Sequence, residues 1–273
     1  MSNYLWLIPM GFIVGSCGTL IGAGGGFILM PVLILLYPRE SPEIIASISL
    51  AVVFFNALSG SWAYAGMKRI DYKSGLLFGL ATIPGAILGA LSTAYIPRQL
   101  FDAAFGLVLI AASLFLFLHT AGGEPVTSNS NRRHHLVRTI VEKNGTTHTF
   151  SYNLVTGVVT SFFVGYISSL LGIGGGVIHV PILAQLLNFP VHIATATSHF
   201  ILAIMAFTGT VVHVLTGSFS HGIYRTIYLS LGVLLGAQVG ALLSNRVKGS
   251  WIIRGLAIAL GFVGIRILIL AWR

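Results

Sequence analysis

Two runs of consecutive glycines, each inside an otherwise apolar stretch, have the residue type and spacing to bind an anion. The runs lie in "LIGAGGGFILMP" and "LLGIGGGVIHVP". Glycine costs roughly 1 kcal/mol against alanine inside a helix, so each run predicts a helix break. The helix beginning after the break presents free N–H groups and its positive dipole end, and glycine allows an anion to approach closely. The predicted anion-binding glycines are Gly24, Gly25, Gly26, Gly174, Gly175 and Gly176.

Polar side chains near the glycine runs could supply further hydrogen-bond donors to the same anion. Neutral donors bind an oxyanion without a fixed cation, which would hold the ion too tightly for turnover. Histidines in an apolar segment could also carry a proton near neutral pH. The candidates are Ser49, Asn56, His179, Thr197, Ser198 and His199.

Each of these features also has a purely structural interpretation. The glycines could serve tight helix packing, and each hydroxyl could make an ordinary interhelical contact. Each histidine could be a neutral ring bonded to a backbone carbonyl. The histidines have no carboxylate or cysteine beside them that would support a metal site, so we expect no metal and no cofactor.

The composition indicates an integral membrane protein. Charged residues make up 8% of the chain, against roughly 25% in soluble domains. The chain has uncharged runs long enough to span a bilayer, and its basic residues cluster in short loops between apolar runs, which explains the net charge of +9 without nucleic acid. These runs are 4–37, 44–64, 74–95, 154–191, 193–215 and 226–245, and the segments 100–118 and 251–270 are apolar with isolated charges.

The two halves of the chain repeat one another. The first glycine motif, from Gly22 to Pro31, recurs from Gly172 to Pro181, and "GAILGALS" at 85–92 matches "GAQVGALL" at 236–243. We therefore predict a first transmembrane repeat at 1–119, a polar cytoplasmic linker at 120–151, and a second transmembrane repeat at 152–273.

Basic residues predict that the two repeats have opposite orientations. One basic loop follows the second uncharged run of the first half, whereas the other follows the third run of the second half. Inversion requires an odd number of crossings per half, so the broken run must go out and back. A straight helix over residues 4–37 would be about 51 Å long, well beyond the hydrocarbon thickness of about 30 Å.

The predicted fold class is all-α: a polytopic transmembrane helix bundle of two inverted repeats. Each repeat has a glycine-broken helix pair or re-entrant element plus three spanning helices. The linker is expected on the cytoplasmic side of the inner (plasma) membrane, with both termini outside. No hydrolase, P-loop or dinucleotide motif is present, since Phe27 and Val177 stand where a dinucleotide fingerprint needs glycine or alanine. We therefore expect a protein that is not an enzyme.

The duplicated "GxGGGxxxxP" motif, the hydroxyl-rich spans that follow it and the central polar linker make the chain resemble the TauE/SafE family of sulfite exporters. The resemblance covers nearly the whole chain. It implies a permease for small sulfur-containing or organic anions, including sulfite and sulfonates. The first half of the chain has Ile48, Ser49 and Leu50 at the positions where the second half has Thr197, Ser198 and His199.

These observations predict a secondary transporter of small anions, bound near two helix N-termini at the repeat interface. The expected partners are the anion, the lipid bilayer and a coupling proton or ion. An anion channel, or an ion-binding membrane module without active coupling, is the alternative. Accumulation against a gradient would distinguish a transporter from either.

Overall fold

The structure is a computed structural model that describes residues 4–118, 135–244, 246 and 249–271. Its elements in chain order are α1 Leu7–Ile21, α2 Gly26–Leu36, α3 Pro42–Gly66, α4 Tyr72–Thr93, α5 Arg98–Leu118, β1 His135–Val141, β2 Thr147–Asn153, α6 Leu154–Leu171, α7 Gly176–Pro181, α8 Val191–Leu215, α9 Ile223–Leu243 and α10 Gly249–Ala271. A π-helix, Ile182–Leu186, continues α7, and a 3-10 helix, Ser218–Gly222, precedes α9. The predicted polytopic helical bundle is confirmed.

Both glycine runs interrupt a helix, as the sequence predicts. Helix α1 ends at Gly22, whose φ is 85°, and Gly24 and Gly25 follow with φ of 73° and 77°. In the second half, Gly172 and Gly174 repeat this conformation with φ of 66° and 73°. Residues with a Cβ rarely adopt positive φ, so these positions select glycine. The chain reverses there and starts a second short helix.

Helices of one half pack against helices of the other. Helix α1 lies on α9, α4 on α6, α3 on α8 and α5 on α10. Glycines at every fourth position allow the first pair to approach closely: Gly232, Gly236 and Gly240 of α9 face the backbone of Ile8, Phe12 and Ser16. A Cβ at any of these glycines would overlap a carbonyl oxygen of α1, so small residues set the distance between these helices.

The equivalent helices α3 and α8 run in opposite directions. The start of α3 lies beside the end of α8, where Ser218 donates a hydrogen bond to Glu43. The end of α3 lies near the start of α8, where the backbone N–H of Asp71 donates to Thr197 Oγ1 at 3.1 Å. Helix α3 has 25 residues, so about 37 Å separates these two ends of the bundle.

Five helices in the described part of the chain are long and apolar enough to cross a membrane. They are α3, α4, α6, α8 and α9. Many of their large apolar side chains point outward, including Phe163 and Leu235, which are 55% and 65% exposed. An outward apolar surface on long helices is suited to lipid, and it supports a multi-pass membrane protein.

The described part of the predicted linker, residues 135–151, belongs to a β-hairpin, whereas the sequence predicted only a polar linker. Strands β1 and β2 pair antiparallel, and Gly145 turns the chain between them with φ of 86°. Alternate residues of β2 face the bundle, so Phe150 and Tyr152 are buried against Phe189. The alternation of valine, isoleucine, threonine and aromatic residues was the available signal. Residues 120–134 lie outside the described residues.

Two ion pairs hold the hairpin on the bundle. Arg138 donates to both carboxylate oxygens of Asp71, the closest contact being 2.6 Å, and Arg69 donates to Glu142 at 2.8 Å. Burial by itself raises the pKa of Asp71, but hydrogen bonds from Arg138 and Ser74 outweigh this effect and hold it below its usual value. The same balance, with Arg69 as the main cation, lowers the pKa of Glu142.

We expect Arg138→Ala to detach the hairpin, because it leaves the fully buried Asp71 carboxylate without its cation. Breaking such a pair costs about 3 kcal/mol. Hydrogen exchange of the amides in 135–153 should therefore accelerate, while Lys143→Ala in the exposed turn should not change it. Because the pKa values of Asp71 and Glu142 are lowered in the folded protein, their ion pairs stabilise the docked hairpin at pH values above the ordinary carboxyl pKa. This stabilisation is lost as the pH falls below about 4. Equal protection in both variants would contradict this role of Arg138.

Candidate anion-binding site

The two glycine breaks meet in the interior of the bundle. A Cβ at Gly26 would overlap the carbonyl of Ile173, and a Cβ at Gly176 would overlap the carbonyl of Gly22. The start of each second short helix therefore packs on the end of the broken helix of the other half. In this conformation the glycines serve close packing, and the two breaks form one structural unit.

Two serines tie the breaks together across the halves. Ser49 donates to the carbonyl oxygen of Gly172 at 2.6 Å, and Ser198 donates to the carbonyl oxygen of Gly22 at 3.3 Å. The last carbonyls of a helix lack partners within it, and both serines here satisfy one. Both hydroxyl protons are therefore used on the backbone, leaving the serine oxygens as acceptors. This arrangement favours a structural role for Ser49 and Ser198 in the observed conformation.

A cluster of neutral polar side chains lies beside the first break. The hydroxyl of Thr19 donates to Asn56 Oδ1 at 3.1 Å and lies 3.2 Å from Nε2 of His199. The other ring nitrogen of His199, Nδ1, has no hydrogen-bond partner among the described residues. All three side chains are fully buried. We call Thr19, Asn56 and His199 the central polar cluster.

The amide nitrogen of Asn56 is the unused donor of this cluster. Asn56 Nδ2 is buried and has no hydrogen-bond partner among the described residues. Leaving a buried polar group unpaired costs about 1–3 kcal/mol, so a ligand that accepts from this nitrogen gains that free energy. Tyr64 encloses the cluster from one side: its hydroxyl donates to the carbonyl of Thr19 at 2.7 Å, and its ring packs edge-on against His199.

Two of the sequence-predicted residues lie apart from the central polar cluster. His179 Nε2 is 3.2 Å from the hydroxyl of Ser161, so it links α7 to α6. Thr197 accepts the hydrogen bond from Asp71 at the hairpin end of the bundle. Both side chains are buried and engaged in contacts between elements, which is the structural interpretation given above for such residues.

Thr19, which joins Asn56 to His199, was missed in the sequence. A signal was available, because a hydroxyl residue stands three positions before each first glycine: Thr19 before Gly22 and Ser169 before Gly172. Because a hydroxyl recurs in the last helical turn before each break, it marks a position close to the break. The repeated motif therefore starts at Thr19 and Ser169 and not at the first glycine of each run.

A cavity of about 910 Å³ lies between α3, α4, α8 and α9, within one helical turn of the central polar cluster. Ser59, three residues after Asn56, lines it, as does Phe200, which follows His199. Its walls are largely aromatic and aliphatic, with Gln238 donating to the carbonyl and hydroxyl oxygens of Ser59 at 2.8 Å. Lining residues come from equivalent helices of both halves, so the cavity lies on the interface between them.

This architecture, with two broken helices meeting inside a bundle of membrane-spanning helices, is typical of multi-pass membrane transporters. The chain belongs to the sulfite exporter TauE/SafE family, whose model matches residues 7–267. The family expected from the duplicated glycine motif is thereby confirmed, and the protein is a membrane transporter.

Relatives of the chain carry transporter names. It is 33% identical over 273 residues to "Probable membrane transporter protein YunE" of Bacillus subtilis (strain 168), covering 97% of each chain. It is 27% identical over 253 residues to "Probable membrane transporter protein MJ0441" of Methanocaldococcus jannaschii, covering 89% of this chain and 86% of the relative. No solved structure matches the chain.

Proposed function

We propose that this protein is a secondary transporter of small sulfur-containing or organic anions and that it binds them at the central polar cluster. The proposed class of anion is based on the family, since its description names sulfite exporters. The observation that carries the site is the buried, unpartnered Asn56 Nδ2 beside the two glycine breaks. An oxyanion that accepts from this amide would satisfy the nitrogen, which has no other partner among the described residues.

The absence of a cation among the cluster residues suits transport. Thr19, Asn56 and His199 offer neutral hydrogen bonds, each worth less to an anion than an ion pair in a buried site. An anion held this way can leave again. The proposed activity is therefore transport of the anion across the membrane, and we propose no chemical conversion by the protein.

The cavity between α3 and α8 is the proposed route to this site. Its wall reaches Ser59 and Phe200, but the glycine breaks are packed against each other and are not among its lining residues. We infer that substrate entry requires the equivalent helices α3 and α8 to move apart. Movement of two repeats about a central site is the usual basis of alternating access.

The two repeats are proposed to be inverted in an inner (plasma) membrane, with the hairpin on the cytoplasmic side. The antiparallel course of α3 and α8 supports inversion, and the basic residues near the hairpin support its side. In a variant lacking Cys17, a cysteine at Asn144 should be labelled only from the cytoplasmic side and one at Arg39 only from outside. The opposite pattern would refute the orientation.

Reconstituted proteoliposomes test the proposed function. Radiolabelled sulfite, thiosulfate, an aryl sulfonate and sulfate should be compared for exchange and for net uptake with a pH gradient imposed. We expect exchange of at least one of these anions and accumulation of it above the outside concentration. Flux that only dissipates a gradient would instead indicate an anion channel, and no flux of any probe would refute the proposed substrate class.

A further inference from the structure

His213 is an ionisable side chain buried in the bundle without a hydrogen bond. It lies on α8 and is fully buried. Both of its ring nitrogens lack a hydrogen-bond partner among the described residues. A buried imidazole leaves at least one N–H donor and one acceptor to satisfy, so this position is costly for a residue with only a packing role.

The internal repeat shows what His213 replaces. Gly60 and Gly209 are equivalent, and the residues one helical turn further on are Tyr64 and His213. The Tyr64 hydroxyl donates a hydrogen bond to the carbonyl oxygen of Thr19. In the second half, a Cβ at Gly209 would lie 3.3 Å from the hydroxyl of Ser169.

The Ser169 hydroxyl near that glycine is unpaired. Its oxygen and that of the preceding residue, Ser168, are buried and have no partner in the described part of the chain. At this position of the repeat, the first half has a hydroxyl that donates a hydrogen bond to a backbone carbonyl. The second half instead has an imidazole and two hydroxyls without hydrogen-bond partners among the described residues. This arrangement leaves hydrogen-bonding capacity for a proton or for water.

A carboxylate lies near the same end of α8. Glu43, in the first turn of α3, is linked to His213 through hydroxyls: its partner Ser218 lies 3.0 Å from the hydroxyl of Thr216, which donates to the carbonyl oxygen of His213 at 3.3 Å. Glu43 is half-buried and accepts a hydrogen bond from Ser218. It therefore lies between His213 and the end of the bundle opposite the hairpin.

We propose that His213 is the binding site for the coupling proton of this transporter and that Glu43 delivers it from the end opposite the hairpin. This inference rests on the proposed function. The proton leaves the carboxylic acid of Glu43 and binds a ring nitrogen of His213, leaving a carboxylate beside an imidazolium. A carboxylate close by stabilises the imidazolium, and the pair adds no net charge to the apolar interior.

Coupling to a proton also lowers the cost of moving the anion. An anion crossing a membrane interior alone carries an uncompensated charge, which is expensive. An anion that moves together with one proton carries one unit less negative charge. The central polar cluster would hold the anion and His213 the proton, on separate positions of the same helix α8.

The test measures exchange and proton-driven uptake separately in proteoliposomes. The probe is radiolabelled thiosulfate if the wild type transports it, and otherwise whichever of sulfite, the aryl sulfonate or sulfate the wild type exchanges. Exchange at equal pH needs no net proton movement, so His213→Gln should keep exchange close to the wild-type rate. Accumulation driven by a pH gradient should fall about tenfold or more, because glutamine does not titrate. His135→Gln, in the hairpin, is the matched control and should keep both activities.

Each outcome bears on one of the two proposals. Unchanged pH-driven accumulation in His213→Gln overturns the inference but leaves anion transport standing. Absence of exchange by the wild-type protein for every probe refutes the proposed function itself. If His213→Gln does not reach the membrane, Glu43→Gln decides, since its half-buried position tolerates the change: retained proton-driven accumulation in that variant overturns the inference.

Discussion

Asn56→Leu should lower anion transport about 10- to 100-fold, because a hydrogen bond to a charged group is worth roughly 1.5–3 kcal/mol. Leucine has the same number of side-chain heavy atoms as asparagine and branches at the same carbon, but it has no donor, so the substrate loses the amide nitrogen that has no other partner in the described structure. The initial rate of anion exchange in proteoliposomes, at equal amounts of reconstituted protein, measures the effect.

Stability should not follow activity in this variant. The change removes an unsatisfied buried nitrogen, which is unfavourable, and the hydrogen bond from Thr19, which is favourable. The two effects oppose each other, so the melting temperature should change little. Met205→Leu is the matched control, because Met205 is the equivalent position of the second half and is buried. Normal exchange in Asn56→Leu would remove this side chain from the proposed site.

Gly176→Ala should greatly reduce the amount of folded protein. The added Cβ would overlap the carbonyl oxygen of Gly22 and lie 2.7 Å from the Cα of Ala23. Both are backbone atoms at the break of the other half, so no side-chain rotation relieves the clash. Overpacking of this kind typically costs about 1–3 kcal/mol, and more where backbone must move. Thermal unfolding in detergent and the monodisperse yield after size exclusion measure the loss.

Gly66→Ala is the matched control for this steric argument. Gly66 ends α3, and a Cβ there would meet nothing within 4 Å. Alanine is favoured over glycine in a helix by up to about 1 kcal/mol, so this variant should be as stable as the wild type or slightly more so. If both variants melt at the wild-type temperature, the tight contact between the two breaks is not required for folding.

The same steric argument changes what larger substitutions at the breaks would show. A Cβ at Gly25 would lie 2.7 Å from Val14 Cγ1, and one at Gly175 would lie 2.9 Å from the sulfur of Met205. Valine at either position would therefore disturb packing in addition to any anion contact. Loss of transport in such variants could not be assigned to anion binding, whereas Asn56→Leu separates the two effects.

The amino-acid sequence by itself determined the membrane class and the positions of the helix breaks. These features depend on local properties: charge-free runs long enough for a bilayer, and consecutive glycines that disfavour helix at one place. The family also followed from the sequence, because the duplicated glycine motif is a local pattern. The hairpin had a local signal too, in the alternating residues of 135–153, but the polar segment before it obscured that signal.

The tertiary structure decided which polar residues act together. Thr19 meets Asn56 and His199 across 37 and 180 residues of chain, and Ser49 meets Gly172 across 123. Such contacts arise only when helices far apart in the sequence pack on each other, within one half as for Thr19 and Asn56 or between the halves as for Thr19 and His199. Local spacing cannot distinguish a hydroxyl that caps a distant carbonyl, as in Ser198, from one that links two polar side chains, as in Thr19. Hydrogen-bond partners so far apart in sequence are determined by the packing of the bundle.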